Sequence, residues 1–153
     1  VAGGLSAEES LRVCRMLAEL GVDAIEMSGG TFNTGGLSFA RTGDRLSAET
    51  EGYYGEQARR YKEKIKTPLI LVGGFLRLAT IEEVIQTGLA DYIALSRPLI
   101  CEPHLVRRWA GGDHARAACV SCNQCFATTL SKEGLFCKVA QRRQGANNPN
   151  NPA

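Results

Sequence analysis

The chain has 153 residues, 44% of them apolar and 22% charged, the balance of a soluble globular protein long enough to bury one core. A formal net charge of +2, with Lys and Arg scattered along the chain, gives no footprint for nucleic acid or a membrane surface. No apolar run approaches the roughly 18 residues of a membrane span, and the N-terminus lacks the charged-then-apolar form of a signal peptide, so cytoplasmic residence is the expectation.

Ser6 and Glu9 have the spacing of a capping box, and Leu11, Cys14, Leu17 and Ala18 recur at helical intervals, predicting a first helix that Gly21 ends. Ala24 to Met27 reads as a strand, closed by Ser28, Gly29 and Gly30. A barrel-type unit is a strand followed by a helix, so the chain is expected to start just after a strand it lacks. Residues 31–48 show no period and are rich in Gly, Thr and Ser. A loop of that length reads equally as a surface loop or as a lid facing substrate, with Arg41 and Arg45 as its reactive-looking side chains. Residues 49–66 predict a helix with Tyr54, Ala58, Tyr61 and Ile65 on its packing face, stopped by Thr67-Pro68.

Leu69 to Val72 is a continuous apolar run, as expected of a parallel strand covered on both faces. Gly73 and Gly74 follow, and without Cβ atoms they let backbone N–H groups approach an anion. Thr80 with Glu83 forms a second capping-box pattern, predicting a helix from Ile81 that Gly88 stops. The next strand is Tyr92 to Leu95, and at its end Ser96 offers a hydroxyl and Arg97 a planar fork of donors matched to phosphate oxygens. In a (β/α)8 barrel the loops after the last two strands often hold a phosphate. Glycine pairs alone usually mark turns; both strand ends, in this order, favour the phosphate site. Pro98 suits the first turn of a helix, and Pro103 opens another that carries Leu105, Val106 and Trp109. His104 and His114 have neither a neighbouring nucleophile nor regular ligand spacing and read as surface residues.

Four of the six cysteines lie together. Cys119, Cys122 and Cys125 sit at two-residue intervals and Cys137 returns after an intervening turn. Three close thiolates and one remote one suit an iron-sulfur cubane or a structural zinc, with unligated thiols as the third possibility. Cys14, on the apolar face of the first helix, and Cys101 are expected to be structural. The last stretch, QRRQGANNPNNPA, has too little apolar content to fold.

The run VGGF (Val72 to Phe75) followed by GLADYIALSRPLICEPHL (Gly88 to Leu105) closely resembles the C-terminal part of the old yellow enzyme family of FMN-dependent oxidoreductases, above all its 2,4-dienoyl-CoA reductase and trimethylamine dehydrogenase branch. The resemblance extends from Gly3 to about Cys137. It implies an α/β fold, the C-terminal half of a (β/α)8 TIM barrel over residues 1–112, then a Cys-rich extension over 113–140 and a flexible tail over 141–153. A complete barrel takes roughly 250 residues, so a whole one does not fit. The resemblance also implies that Gly73, Gly74, Ser96 and Arg97 hold the FMN phosphate, with Phe75 either against the flavin edge or in the core at the barrel end. Cys119, Cys122, Cys125 and Cys137 match the ligands of a [4Fe-4S] cluster; dienoyl-CoA reductases carry one more residue between the second and third cysteines. NAD(P)H as co-substrate and an activated alkene or enone as substrate follow from the same resemblance, with neither nucleic acid nor membrane as partner. The family's acid and base residues belong to the first half of the barrel, so the catalytic residues are unknown here. Two other readings stand beside this one: a phosphate- or FMN-binding module without turnover, and a half-barrel that pairs with a second copy or with the missing N-terminal half.

Overall fold

The structure, a computed structural model, describes residues 4–30, 40–42 and 48–146. It is an α/β unit with three parallel strands in the order β1 (Ile25–Met27), β2 (Leu69–Leu71) and β3 (Tyr92–Ile93). Ile25 pairs with Leu69 and Met27 with Leu71, while Ile70 pairs with Tyr92. Before β1 comes α1 (Ala7–Glu19); α2 (Gly55–Lys64) precedes β2, and α3 (Leu78–Gln86) carries the chain from β2 to β3. The short helices α4 (Arg97–Cys101) and α5 (Leu105–Ala110) follow, and α6 (Lys138–Ala146) comes after the cysteine-rich segment.

α1 forms where the local signal placed it. The Glu9 N–H donates to Ser6 Oγ and the Ser6 N–H to Glu9 Oε2, a complete capping box worth about 1 kcal/mol. The helix buries Leu11 and Cys14. Gly21, at φ +82, and Gly88, at φ +70, end α1 and α3 in the left-handed conformation that glycine adopts freely. In the main core Ala58 and Tyr61 from α2 meet Leu69 and Leu71 from β2, all four with no exposed surface. Tyr61 is a packing residue whose hydroxyl donates to the Thr67 carbonyl at 2.9 Å. Asp91 ties the amino ends together, accepting from the Leu69 N–H at 2.7 Å and from the Lys62 ammonium at 2.8 Å.

Two expected elements are corrected. The helix predicted over 49–66 is a 3-10 turn at Ala48–Thr50, a turn over 51–54, and then α2 from Gly55. Gly52, at φ +69, breaks the run, and the Gly52 and Tyr53 N–H groups donate to the Gly73 carbonyl at 2.8 and 3.3 Å instead of continuing a helix. The Thr80–Glu83 box does not cap α3, which starts at Leu78 with Arg77 in the capping position and no side-chain cap. A remote carboxylate replaces it. Glu51, its side chain without exposed surface, accepts from the Leu76 and Arg77 N–H groups, each at 3.1 Å, and from the Arg77 guanidinium. All three strands are also shorter than their apolar runs. β2 stops before Val72 because the chain then turns to present the Gly73 carbonyl to Gly52 and Tyr53.

A second, smaller core packs the Cys-rich segment onto the unit: Leu76, Leu105, Trp109, Ala117 and Cys119. The Ala117 N–H donates to the Leu76 carbonyl at 2.8 Å, fastening this segment beside the loop that follows β2. Part of the polar end of the chain is helical: α6 begins directly after Cys137, and the Gln141 N–H closes its first turn on the Cys137 carbonyl at 3.0 Å. No helix among the described residues is long and apolar enough to cross a membrane.

Candidate functional site

Parallel strands end on the same side, so the residues that follow β1, β2 and β3 meet around one opening. The pocket there has a volume of about 350 Å³ and is lined by Ser28 after β1, Gly73, Gly74 and Phe75 after β2, and Ser96 and Arg97 after β3. All five residues predicted to contact a cofactor therefore share one cavity. Gly74, at φ +76, presents bare backbone to it. A side chain at Gly73 would be crowded: its Cβ would stand 3.0 Å from Gly52 Cα and from the Tyr53 nitrogen. Phe75 is 1% exposed and belongs to the main core, its ring lying over Gly52, so of its two possible roles the packing one is what the geometry displays. One acidic side chain, Glu26 on β1, also lines the pocket.

Arg97 is held by the protein as well as facing the pocket. Its Nη1 donates to the Arg41 carbonyl at 2.8 Å and to Asn123 Oδ1 at 2.6 Å. The Arg41 guanidinium carbon itself lies over the Tyr53 ring, 4.1 Å from its centre. Arg45 lies outside the described residues. Tyr54, the residue just before α2, donates its hydroxyl to the Gly29 carbonyl. A larger cavity of about 530 Å³ lies along β1 and the start of α1, lined by Leu5, Leu11, Met27 and Tyr54 among others, away from the glycine pair. Both histidines are exposed, as expected.

Cys119, Cys122, Cys125 and Cys137 all line a third, small cavity, which they share with Arg97 and Asn123. Ser121 and Asn123 take positive φ, 52 and 60, in a loop that buries Cys119 and Cys125 and leaves Cys122 exposed. Thr128, buried, returns Cys137 to the loop: its hydroxyl donates to the Cys125 carbonyl at 2.7 Å and accepts the Phe136 N–H at 3.1 Å. Two sulfurs already accept backbone N–H groups, Cys119 from Ser121 at 3.4 Å and Cys137 from Ala140 at 3.5 Å. Such bonds stabilise thiolates, so the donor set suits a thiophilic metal centre. Among the described residues no three cysteine, histidine or acidic side chains stand close enough together to hold a metal ion in this arrangement.

Cys101, expected to be merely structural, joins this group. Burial, then a hydrogen bond and charge repulsion from Cys137, push its thiol up to about 12. Burial likewise raises the Cys125 thiol. Asn123, Thr128, Glu51 and Cys101 were not marked by any sequence pattern; only the Cys-x-x-Cys-x-x-Cys spacing around Asn123 hinted at its place.

The parallel strands, crossover helices and pocket at the strand carboxyl ends define the class: a parallel α/β unit with its cavity where such sheets place their sites. No protein-family model matches the chain. It is 28% identical to a 4,4'-dithiodibutanoate disulfide reductase of Rhodococcus erythropolis over 89% of this chain and 40% of that protein. It is 31% identical to an NADH-dependent flavin oxidoreductase of Talaromyces variabilis over 69% of this chain and 27% of that protein. Its fold matches a solved 2-naphthoyl-CoA reductase with a TM-score of 0.67 at 21% identity, over 89% of this chain and 20% of that one. The chain thus spans 40% or less of the length of these relatives. It belongs to the old yellow enzyme-like NADH:flavin oxidoreductase family, over the part that it spans.

Proposed function

We propose that this chain is the FMN-phosphate-binding half of a (β/α)8 barrel in an NAD(P)H-dependent flavin oxidoreductase that reduces activated alkenes of enone or dienoyl type. The convergence of Gly73, Gly74, Ser96 and Arg97 on one pocket carries this reading. Gly73 and Gly74 bring backbone to the phosphate, Ser96 offers a hydroxyl and Arg97 a charged fork, while Phe75 closes the core beneath them. When bound, FMN would supply the hydride chemistry between nicotinamide and alkene. The residues named here bind and orient it. Cys119, Cys122, Cys125 and Cys137 are the proposed ligands of a [4Fe-4S] cluster, which would supply single-electron transfer; their spacing in the sequence supports that assignment. The acid and base groups are expected from the other half of the barrel, which would cover the edge of β1 that pairs with no strand among the described residues, and the exposed Val13 and Met16 of α1 with Leu20 at its end.

The test is FMN binding by Arg97→Ala against Arg60→Ala, the latter an exposed α2 residue paired with Glu56. Loss of charge-assisted hydrogen bonds to a phosphate predicts an affinity about 10- to 100-fold lower for Arg97→Ala and unchanged for Arg60→Ala. Equal effects would remove Arg97 from the site.

A further inference from the structure

We infer that Asn123 is a positioning residue for Arg97, so that the cysteine loop sets how tightly the neighbouring pocket takes a flavin phosphate; this rests on the FMN reading above. Asn123 stands between Cys122 and Cys125 with φ 60, a conformation that asparagine tolerates better than most residues. Both ends of its amide are used. Oδ1 accepts from Arg97 Nη1 at 2.6 Å, and Nδ2 donates to the Ala40 carbonyl at 2.8 Å. The same Nη1 donates to the Arg41 carbonyl at 2.8 Å, which closes a ring of Arg97, Asn123 and the Ala40–Arg41 backbone.

Among the described residues these are the hydrogen bonds Arg97 makes, both from Nη1. A guanidinium carries five N–H donors, so most of the fork stays available to a ligand. The tether lowers the rotamer freedom that an arginine otherwise loses on binding, which raises affinity by preorganisation. Arg97 lines both the strand-end pocket and the cysteine cavity, so a shift of the loop is transmitted to the pocket through one side chain.

The experiment titrates FMN and riboflavin, by flavin fluorescence, into the full chain as wild type, Asn123→Gly, Asn123→Asp and Arg97→Ala. Glycine keeps the positive-φ backbone and deletes both amide bonds; aspartate keeps the acceptor for Arg97. Asn123→Gly is expected to weaken FMN about tenfold, the worth of one charge-assisted hydrogen bond, and to leave riboflavin unchanged. Asn123→Asp is expected to recover most of the FMN affinity. If Asn123→Gly binds FMN like wild type while Arg97→Ala does not, the tether has no role and the proposal fails with the phosphate reading intact. Equal weakening of FMN and riboflavin marks a general structural effect and also overturns it. If wild type binds no FMN, or Arg97→Ala is without effect, the phosphate site itself is wrong and the inference falls with it.

Discussion

Gly73→Ala is the sharpest test of how the site is built, because Gly73 belongs to the pocket and to the frame at once. At φ +154 it holds a backbone conformation that side chains rarely adopt, and an added Cβ would meet backbone atoms of Gly52 and Tyr53 at 3.0 Å, where no side chain is available to swing aside. The strain is worth about 1–3 kcal/mol. Relief requires the turn at Gly52 and Tyr53 to retreat, losing the two bonds their N–H groups make to the Gly73 carbonyl, about 1 kcal/mol each. The sum is about 3–5 kcal/mol, which at about 2–4 °C per kcal/mol for a chain of this size lowers Tm by about 6–20 °C. Gly88→Ala is the control. Gly88 also has positive φ, +70, but an added Cβ there meets nothing within 4 Å, so only the backbone term of about 1–2 kcal/mol applies. Urea unfolding of both variants beside wild type measures the difference. Gly73→Ala costing no more than Gly88→Ala would refute the close approach of the two turns.

Asp91 should make stability depend on acid. The Leu69 N–H and the Lys62 ammonium hold its carboxyl below the usual carboxylate range. Its contribution is therefore complete above the unfolded value, about 3.9, and disappears as pH falls through the lower folded value. Asp91→Asn, with the group partly exposed and so partly screened, is expected to be about 1 kcal/mol less stable at pH 7, and the gap should close below about pH 4; a gap that ignores pH contradicts this account. Thiol chemistry gives an independent check on the cysteine group. In metal-free chain at pH 8, exposed Cys122 should react with iodoacetamide before Cys101, whose thiol is pushed up to about 12, and before buried Cys125. Peptide mass spectrometry that found Cys101 alkylated first would place that side chain elsewhere.

What the sequence disclosed was what short-range chemistry decides. The Ser6–Glu9 box, the stops at Gly21 and Gly88 and the apolar run from Leu69 all act within a few residues, and each appears where its pattern put it. Bringing Gly73, Gly74, Ser96 and Arg97 to one pocket followed from strand direction once the strands were recognised. The Thr80–Glu83 box looked equally good and lost to Glu51, a carboxylate 25 residues away from the N–H of Leu76. The helix over 49–66 was broken by a turn that answers to Gly73, not to its own periodicity. Asn123 is the extreme case: the cysteine spacing around it marks its loop, but its bond to Ala40 crosses 83 residues and no local pattern names that partner.

The sheet separates two tasks by its direction. Asp91 and Lys62 knot the amino ends, far along the strands from the rim where Gly74, Ser96 and Arg97 stand. Substitutions at the rim can alter what is held without loosening the knot, and the knot can be reinforced without reshaping the rim, so ligand preference and thermal endurance are free to drift apart over generations. Gly73 is where that freedom ends. A mutation there is felt by both, which makes it the position at which a lineage carrying this unit would find change hardest to accept.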